Sequence, residues 1–396
     1  MCATSKHMTD CLPRALQHSQ TLEYLVRGSS WVLGEAGMND GSLKEFAAGY
    51  RYLQGPGAIS RMWDLAHELG SRAVLVADAG VLNMLNAKLT AGAIPGRDVV
   101  LHFSGEITQQ AIEQLAQSAR KNNPDVIVAL GGGKALDAGK AVALALGLQV
   151  MTVPTIASTD APASRGIAMY DSTHKLSGVV QLPASPAIVL VDTAVIASAP
   201  VRFLRAGIGD AIAKKFEAEA VMAANGRNKH GTAPLWSGVI AADGCYRLLR
   251  AHAIQALTDA ESGIASPALE ATVEACFLLS AMGFENTGLS IAHSMTRGLV
   301  KARQIADQLH GFHVAYGLVV QLVTESHAKP DIEDMRAFLE AVGLPRTLAE
   351  MGMTAPQPRD FDALADSCLT SPHWQNTPRP LDGAAIRKAI ETVETW

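Results

Sequence analysis

The sequence predicts an α/β N-terminal domain with a parallel, Rossmann-like sheet, followed by an all-α C-terminal domain. Between residues 46 and 200, short apolar runs that do not alternate with polar residues are separated by helix-like stretches. This pattern is typical of a parallel sheet that is covered by helices on both faces. Between residues 201 and 396, apolar residues recur at helical spacing and almost no strand pattern is found. Residues 1–45 are rich in turn-forming residues and are interpreted as an N-terminal extension.

Five apolar runs predict the strands of the first domain, in the order RAVLVAD, DVVLHFSGE, DVIVAL, QVMTVPTIAS and AIVLVD. The segment TQQAIEQLAQSARKN predicts an amphipathic helix after the second strand, and ALDAGKAVALALG predicts a helix after the third. Four longer periodic segments predict helices of the second domain: GDAIAKKFEAEAVMAA, LWSGVIAADGCYRLLRAHAIQAL, PALEATVEACFLLSAMG and GLSIAHSMTRGLVKARQIADQL.

Composition limits the function classes that are open to the chain. It has 396 residues, of which 48% are hydrophobic and 18% are charged, and its formal net charge is -5. This charge argues against a nucleic-acid or anionic-membrane surface, and the apolar stretches are too short or too interrupted to span a bilayer. The N-terminal residues contain no apolar leader segment, and the five cysteines form no CxxC pair. We therefore expect a cytoplasmic protein with reduced thiols.

A glycine-rich turn follows the third predicted strand, in VALGGGKALDAGKAVA. A strand, glycines and a helix N-terminus together favour a bound phosphate, through free backbone N–H groups and the helix dipole. The turn is not a P-loop, because Ala141 follows Gly139 and Lys140 where that motif requires Ser or Thr. It also departs from the GxGxxG fingerprint of dinucleotide-binding folds, because Leu136 occupies the third glycine position. Asp78 ends an earlier strand, where a carboxylate binds ribose hydroxyls and repels a 2′-phosphate. These features indicate NAD, although a plain glycine turn of an α/β domain explains the turn equally well.

Two further groups of polar residues have both a functional and a structural interpretation. The loop VPTIASTDAPAS follows another predicted strand, and its Asp160 either contacts a substrate hydroxyl or caps a local turn. In the helical domain, Asp210, His293 and His310 would suit zinc or ferrous iron with one open position. Structurally, they would instead be a helix N-cap, a core histidine and a cation at a helix C-terminus. The zincin motif HExxH is absent from the sequence.

Four motifs occur in the order GGGKALDAGKAVA, VPTIASTDAPAS, AGIGDA and GFENTGLSIAH…LHG. Together they resemble the glycerol dehydrogenase branch of the iron- or zinc-containing alcohol dehydrogenases, from about Tyr50 to the C-terminus. The resemblance implies a dehydroquinate synthase-like fold with NAD and one divalent metal in the interdomain cleft, zinc being expected and ferrous iron the alternative. It also implies a homo-oligomer that oxidises a small-molecule alcohol, a secondary or vicinal-diol hydroxyl of a glycerol-like polyol, to the ketone.

The resemblance further implies roles for individual residues. Asp210, His293 and His310 would be the metal ligands, and together with Asp160 they would form the catalytic group. Asp160 and Phe284 would contact the substrate. Nine residues would contact NAD: Asp78, Gly132, Gly133, Lys134, Asp137, Thr155, Ser158, Ser164 and Tyr170.

Several residues depart from the family pattern. Phe312 stands where the family has a Glu, and the loss of that carboxylate would weaken support of the metal; Thr296 stands where a further histidine is common. Arg165, if it faces the cleft, would bind a carboxylate or phosphate, and otherwise is a surface arginine. Together with Arg297 and His313, it motivates an alternative substrate, a hydroxy acid or other hydroxylated anion.

Two more distant alternatives are a lyase of the dehydroquinate synthase type and a relative without catalytic activity. The lyase shares the fold, NAD and the metal, but its reaction needs several basic residues around a phosphate. The cleft offers only Lys134 and, if it faces the cleft, Arg165, which argues against the lyase. The complete Asp/His/His set argues against the non-catalytic alternative.

Overall fold

The structure is a computed structural model that describes residues 44–47, 51–90, 92–94, 98–171 and 176–396. The predicted N-terminal extension, residues 1–45, lies outside the described residues except at its end. The strands of the described chain are β1 Lys44–Ala47, β2 Arg51–Gly55, β3 Ala73–Asp78, β4 Val99–Phe103, β5 Val126–Gly131, β6 Gln149–Pro154, β7 Gly166–Tyr170, β8 Leu176–Gln181 and β9 Ile188–Asp192.

Seven strands form one sheet in the order β1-β2-β9-β6-β5-β3-β4. Six of these strands run parallel, and β1 pairs antiparallel with β2 at the edge. The predicted parallel sheet is therefore confirmed, and the five predicted strands are β3, β4, β5, β6 and β9. Strands β3, β5, β6 and β9 are buried almost throughout, as expected for central strands that read as continuous apolar runs.

The sequence pattern does not predict four of the strands. Strands β1 and β2 lie at one edge of the main sheet, and β7 and β8 form a separate antiparallel pair. Strand β8 is exposed at every residue except the half-buried Gly178, so it lacks the buried face that would give an alternating pattern.

Helices cover both faces of the sheet. In the α/β part they are α1 Met62–Leu69, α2 Ala79–Thr90, α3 Gln109–Arg120, α4 Gly133–Leu146 and α5 Thr193–Ser198. One face of the sheet packs on apolar side chains of α1, and the other packs on α3 and α4. Helix α3 begins where the Thr108 hydroxyl accepts a hydrogen bond from the Ala111 N–H, an N-cap that satisfies one free donor of the first turn.

The C-terminal part is helical, as predicted. Its helices are α6 Arg202–Ile212, α7 Lys214–Ala223, α8 Trp236–Glu261, α9 Pro267–Glu274, α10 Ser280–Thr287, α11 Ile291–Leu299, α12 His310–Thr324, α13 Lys329–Ala341, α14 Leu348–Met351, α15 Pro358–Cys368 and α16 Gly383–Glu394. A π-helical turn, Ala275–Leu279, joins α9 to α10. Contrary to the expectation from the sequence, the combined run Pro267–Thr287 is long and apolar enough to cross a membrane, but its most apolar stretch is 67% buried within the protein. That burial is expected of a core helix.

Two predicted helix boundaries are wrong, and both concern residues of interest. Asp210 does not open a helix: it lies in the last turn of α6, and α7 begins four residues later at Lys214. The predicted helix over residues 288–309 stops at Leu299, and His310 begins α12 instead of ending a helix. The intervening turns bury Ile305, whose carbonyl accepts a hydrogen bond from His313 Nε2 at 2.8 Å. Tertiary contacts therefore override the local helical periodicity.

Candidate active site

A cavity of about 780 Å³ lies at the carboxyl ends of the parallel strands. Its walls include the ends of β3 and β4 and the turns that follow β5 and β6, and helical residues of α7, α10, α11 and α12 line it from the other part of the chain. Ligands of open parallel sheets bind at this edge. All nine residues that the sequence predicts as NAD contacts line the cavity.

The glycine turn opens α4 directly into this cavity. Gly132 is the N-cap residue of α4 and makes no side-chain cap hydrogen bond. A side chain is disfavoured at Gly131, which has a φ of 140°, and a Cβ at Gly132 would lie 2.8 Å from the Ile156 side chain. Gly139 allows α4 to lie on β5, because its Cβ would lie 2.3 Å from that of Ala129. The uncapped N-terminus leaves backbone N–H groups available to an anion.

Two charged residues flank the glycine turn. Asp78, exposed at the end of β3, accepts hydrogen bonds from the backbone N–H groups of Gly80 at 2.8 Å and Val81 at 3.4 Å. Lys134 forms an ion pair with Glu106, and its ammonium lies 5.4 Å from the centre of the Tyr170 ring. The cavity therefore has a carboxylate at one strand end and a lysine at the helix N-terminus.

A buried lysine, Lys140, ties α4 to the polar loop after β6. Its ammonium is fully buried and donates hydrogen bonds to the backbone carbonyls of Ala161 at 2.9 Å and Ser164 at 3.4 Å. It also pairs with Asp137 Oδ1 at 2.7 Å, while Asp137 Oδ2 accepts the Ala168 N–H at 2.9 Å. Sequence reasoning gave Lys140 no role, although its spacing of three residues from Asp137 on a helix places the two side chains on one face.

The three predicted metal ligands lie together. Asp210, His293 and His310 each offer one ligand atom within 4.8 Å of the others. Asp210 Oδ1 is 3.1 Å from His293 Nε2 and 3.9 Å from His310 Nε2. Asp210 is buried, whereas the His310 side chain is 43% exposed and faces the cavity. One carboxylate and two imidazoles at these separations fit a divalent metal ion, and the cavity supplies room for a further ligand.

A second carboxylate, which sequence reasoning missed, orients His293. Glu217 is fully buried on α7, and its Oε2 lies 2.6 Å from His293 Nδ1. Its Oε1 accepts the backbone N–H groups of Ser290 at 2.9 Å and His293 at 3.1 Å. A proton on Nδ1 leaves the Nε2 lone pair free to bind a cation, an arrangement that is frequent around protein metals. The signal in the sequence is the carboxylate seven residues after Asp210, at helical spacing.

Asp160 points away from its own loop and toward the helical part. Its Oδ2 accepts the Ser280 hydroxyl at 2.9 Å and lies 3.4 Å from the Lys214 ammonium. These side-chain contacts are to distant residues, which disfavours the interpretation of Asp160 as a local cap. Burial raises the pKa of Asp160, and the Lys214 charge opposes that rise. Ser280 is the first residue after the π-helical turn, a kind of distortion that is frequent at functional sites.

Lys214 is the second residue that sequence reasoning missed. Its side chain is 2% exposed, and its ammonium lies 2.8 Å from Asp210 Oδ1 and 3.1 Å from His293 Nε2. The same ammonium lies 5.3 Å from the centre of the Phe284 ring. Burial lowers the pKa of Lys214, but the Asp210 and Asp160 carboxylates outweigh burial and raise it above its usual value.

Comparisons with known proteins establish the family to which the chain belongs. Residues 50–193 match the family model described as iron-containing alcohol dehydrogenase. The chain is 37% identical to a glycolaldehyde reductase of Halobacterium salinarum, over 87% of this chain and 95% of that protein. It is 36% identical to a glycerol dehydrogenase of Thermotoga maritima, over the same two shares. The chain belongs to the iron-containing alcohol dehydrogenase family. The crystal structure of a probable glycerol dehydrogenase from Sinorhizobium meliloti 1021 superimposes with a TM-score of 0.81 at 34% identity, covering 87% of this chain and 96% of that one.

In this iron-containing alcohol dehydrogenase, two of the three residues that suggested an anionic substrate lie away from the cavity lining. Arg165 donates from Nε to the Leu182 carbonyl at 2.9 Å and from Nη1 to His230 Nδ1 at 3.0 Å. Its guanidinium is therefore bonded to two residues that do not line the cavity. His313 is buried and bonds to the Ile305 carbonyl. Neither residue lines the cavity, so the structure gives no support to a contact of either one with a substrate.

Arg297 does line the cavity, and so does a lysine that sequence reasoning passed over, Lys229. The Lys229 ammonium lies 5.9 Å from the centre of the Phe284 ring, so two lysines approach this ring, the other being Lys214. Burial lowers the pKa of Lys229. Within the described part of the chain, no carboxylate forms an ion pair with Lys229 or Arg297.

Proposed function

We propose that this protein is an NAD- and metal-dependent dehydrogenase that oxidises a secondary hydroxyl of a small glycerol-like polyol to the ketone. The observation that carries the proposal is the shared cavity. One wall presents the Asp210, His293 and His310 cluster, and another presents the open N-terminus of α4. The named relatives act on glycerol and glycolaldehyde, two small molecules with oxygen on adjacent carbons.

The α/β side of the cavity would hold NAD. The backbone N–H groups of Gly133 and Lys134 would bind the pyrophosphate at the helix N-terminus, and Asp78 would accept both ribose hydroxyls. The carboxylate of Asp78 would repel a 2′-phosphate, so we expect a preference for NAD over NADP. Thr155, Ser158, Ser164, Asp137 and Tyr170 would line the path toward the nicotinamide.

The helical side would hold one divalent ion on Asp210, His293 and His310, with zinc expected and ferrous iron the alternative. When bound, the ion supplies Lewis-acid assistance for loss of the alcohol proton, and NAD accepts the hydride. The chain itself positions the reactants. Glu217 holds the His293 ring with its Nε2 lone pair toward the site. Asp160, fixed by the Ser280 hydroxyl, would accept a hydrogen bond from a neighbouring substrate hydroxyl.

The test is NADH formation from a panel of diols, polyols and hydroxy acids, with zinc, with ferrous iron and after chelation. We expect turnover of vicinal diols that chelation abolishes and that metal restores. Asp210→Asn should remove turnover, whereas the matched surface change Asp243→Asn should not, because Asp243 pairs with Lys215 and Arg247 away from the cavity lining. Absence of activity on every vicinal diol would contradict the polyol substrate.

A hydroxylated anion is the second candidate substrate, favoured by Lys229 and Arg297 in the cavity wall. A carboxylate or phosphate on the substrate would gain a charge-assisted hydrogen bond from either group. Lys229→Met should then raise KM for hydroxy acids about 10-fold and leave KM for neutral diols unchanged. Equal effects on acids and diols would exclude this candidate.

Three further properties belong to the same proposal. We expect a homo-oligomer, a cytoplasmic location and a domain boundary near residue 200, with the NAD-binding domain over 46–200 and the metal-binding domain over 201–396. Light scattering on the purified protein measures the oligomer directly.

A further inference from the structure

Lys214 places a positive charge where a metal ion would be bound. Its ammonium contacts Asp210 Oδ1 at 2.8 Å and His293 Nε2 at 3.1 Å, two of the three candidate ligand atoms. Those two atoms are themselves 3.1 Å apart. The lysine lies one helical turn after Asp210, so its reach into the site follows from the fold of α6 and α7.

These distances limit how far a metal ion could lie from this ammonium. An ion bonded to both Asp210 Oδ1 and His293 Nε2 lies about 2.0–2.2 Å from each. Because the ammonium is within hydrogen-bond distance of the same two atoms, the ion would lie no more than about 4 Å from it, whichever side it occupied. Two cations at that separation in a buried site repel strongly. A bound ion and the ammonium in its present position are therefore in conflict.

The surroundings explain why the ammonium is stable there. Its side chain is 2% exposed, and a buried charge needs partners. It has Asp160 Oδ2 at 3.4 Å as a third partner, and the Phe284 ring 5.3 Å away. A divalent ion must displace a cation that makes charge-assisted hydrogen bonds.

We propose that Lys214 is the resident cation of this site and competes with a divalent ion for Asp210 and His293. The inference rests on the metal site of the proposed function. Lys214 sets the affinity of the site for metal: binding of an ion requires the ammonium to leave both atoms. The consequence is a weaker and more readily exchanged metal than the three ligands alone would give.

Calorimetric titration of metal-free protein with zinc tests this proposal without any measurement of turnover. Lys214→Met keeps the length of the side chain and removes its charge, and we expect it to bind zinc about 100-fold more tightly than the wild type, because no charge-assisted hydrogen bond is broken. Lys215→Met is the matched control: it removes the neighbouring charge, which pairs with Glu219 and Asp243, and should leave the affinity unchanged.

The outcomes separate this proposal from the proposed function. Equal zinc affinity in the wild type and Lys214→Met overturns the role of Lys214 and leaves the dehydrogenase proposal standing. If neither protein binds zinc, the metal site itself is refuted, which overturns the role of Lys214 and the metal dependence of the proposed dehydrogenase. If Lys214→Met does not fold, a crystal structure of the zinc-loaded wild type decides. Displacement of the ammonium from Asp210 and His293 supports the proposal, and zinc bound beside an unmoved ammonium overturns it.

Discussion

Replacement of Gly311 by alanine should pull the metal ligands apart. Gly311 follows His310 at the start of α12, and an added Cβ would lie 1.7 Å from the carbonyl oxygen of Ala206 on α6. Ala206 is one helical turn before Asp210. The close approach of these two helices therefore sets the separation of two candidate ligands, and it is possible only where residue 311 has no side chain.

The magnitude follows from the distances. Real Cβ atoms essentially never come within 3.0 Å of such an atom, so the backbones must separate by about 1.3 Å. The distance from Asp210 Oδ1 to His310 Nε2 would then grow from 3.9 Å toward about 5 Å. Two ligands of one zinc ion, each bonded at about 2.1 Å, can be at most about 4.2 Å apart. We expect zinc binding to fall at least 100-fold, and the free energy of unfolding to fall by about 2–4 kcal/mol.

Urea unfolding and zinc calorimetry measure the two effects, with Gly244→Ala as the control. Gly244 lies within α8, where an added Cβ would meet the Leu279 side chain at an ordinary 3.7 Å. That change should stabilise the protein by up to about 1 kcal/mol through helix propensity, and should leave zinc binding unaltered. If Gly311→Ala binds zinc as the wild type does and is equally stable, the helix contact does not set the ligand spacing.

Three further changes test other parts of the site. Burial raises the pKa of Glu285 to about 7, so the stability that its neutral form contributes is present below about pH 4.5 and is lost as pH rises through 7. In urea unfolding, Glu285→Gln should therefore be about 3 kcal/mol more stable than the wild type at pH 8 and equally stable at pH 4. A stability difference that does not change with pH would contradict this. Lys140→Met should leave Asp137 without its ion-pair partner and lower the free energy of unfolding by about 3–5 kcal/mol in the same assay. It should also weaken NADH binding, measured by fluorescence. Unaltered NADH affinity would argue against a role of Lys140 in positioning the loop after β6. Glu217→Gln should lower zinc affinity by about 10–100-fold, since the carboxylate no longer orients His293; calorimetry that shows no loss would refute that orientation.

The α/β part could be predicted because its signal is local. A central parallel strand is a continuous apolar run, and the helix between two strands shows its own periodicity, so β3, β5 and β6 stand out in the sequence. The β7–β8 pair lies outside the main sheet, and β8 is exposed almost throughout, so it lacks this signal and escaped prediction. In the helical part, the periodic signal is strong but does not show where one helix ends and the next begins. Periodicity continues from α6 into α7 without a break, although the structure separates the two helices at Ala213.

Within the site, the residue types could be predicted from the sequence, but the distances and contacts between their side chains could not. Motifs place Asp210, His293 and His310 in order along the chain, but 83 residues separate Asp210 from His293 in sequence, and only the fold brings them to 3.1 Å. Arg165 shows the converse case. Its neighbours in sequence line the cavity, and yet its side chain turns to the Leu182 carbonyl. Leu182 directly follows β8, a strand that the sequence did not predict, so its carbonyl could not be anticipated as a partner.

The charges of the site explain why Lys214 belongs to its architecture. Asp210 and Glu217 are buried within one helical region, and Asp160 approaches them from the loop after β6. Buried carboxylates at this density destabilise a fold unless a cation lies among them. Lys214 is four residues after Asp210 and three before Glu217, so the last turn of α6 and the first turn of α7 supply two of the carboxylates and the cation that stabilises them. The chain can therefore assemble its ligand set before any metal arrives, and the same ammonium that makes assembly possible is the group that an incoming ion must displace.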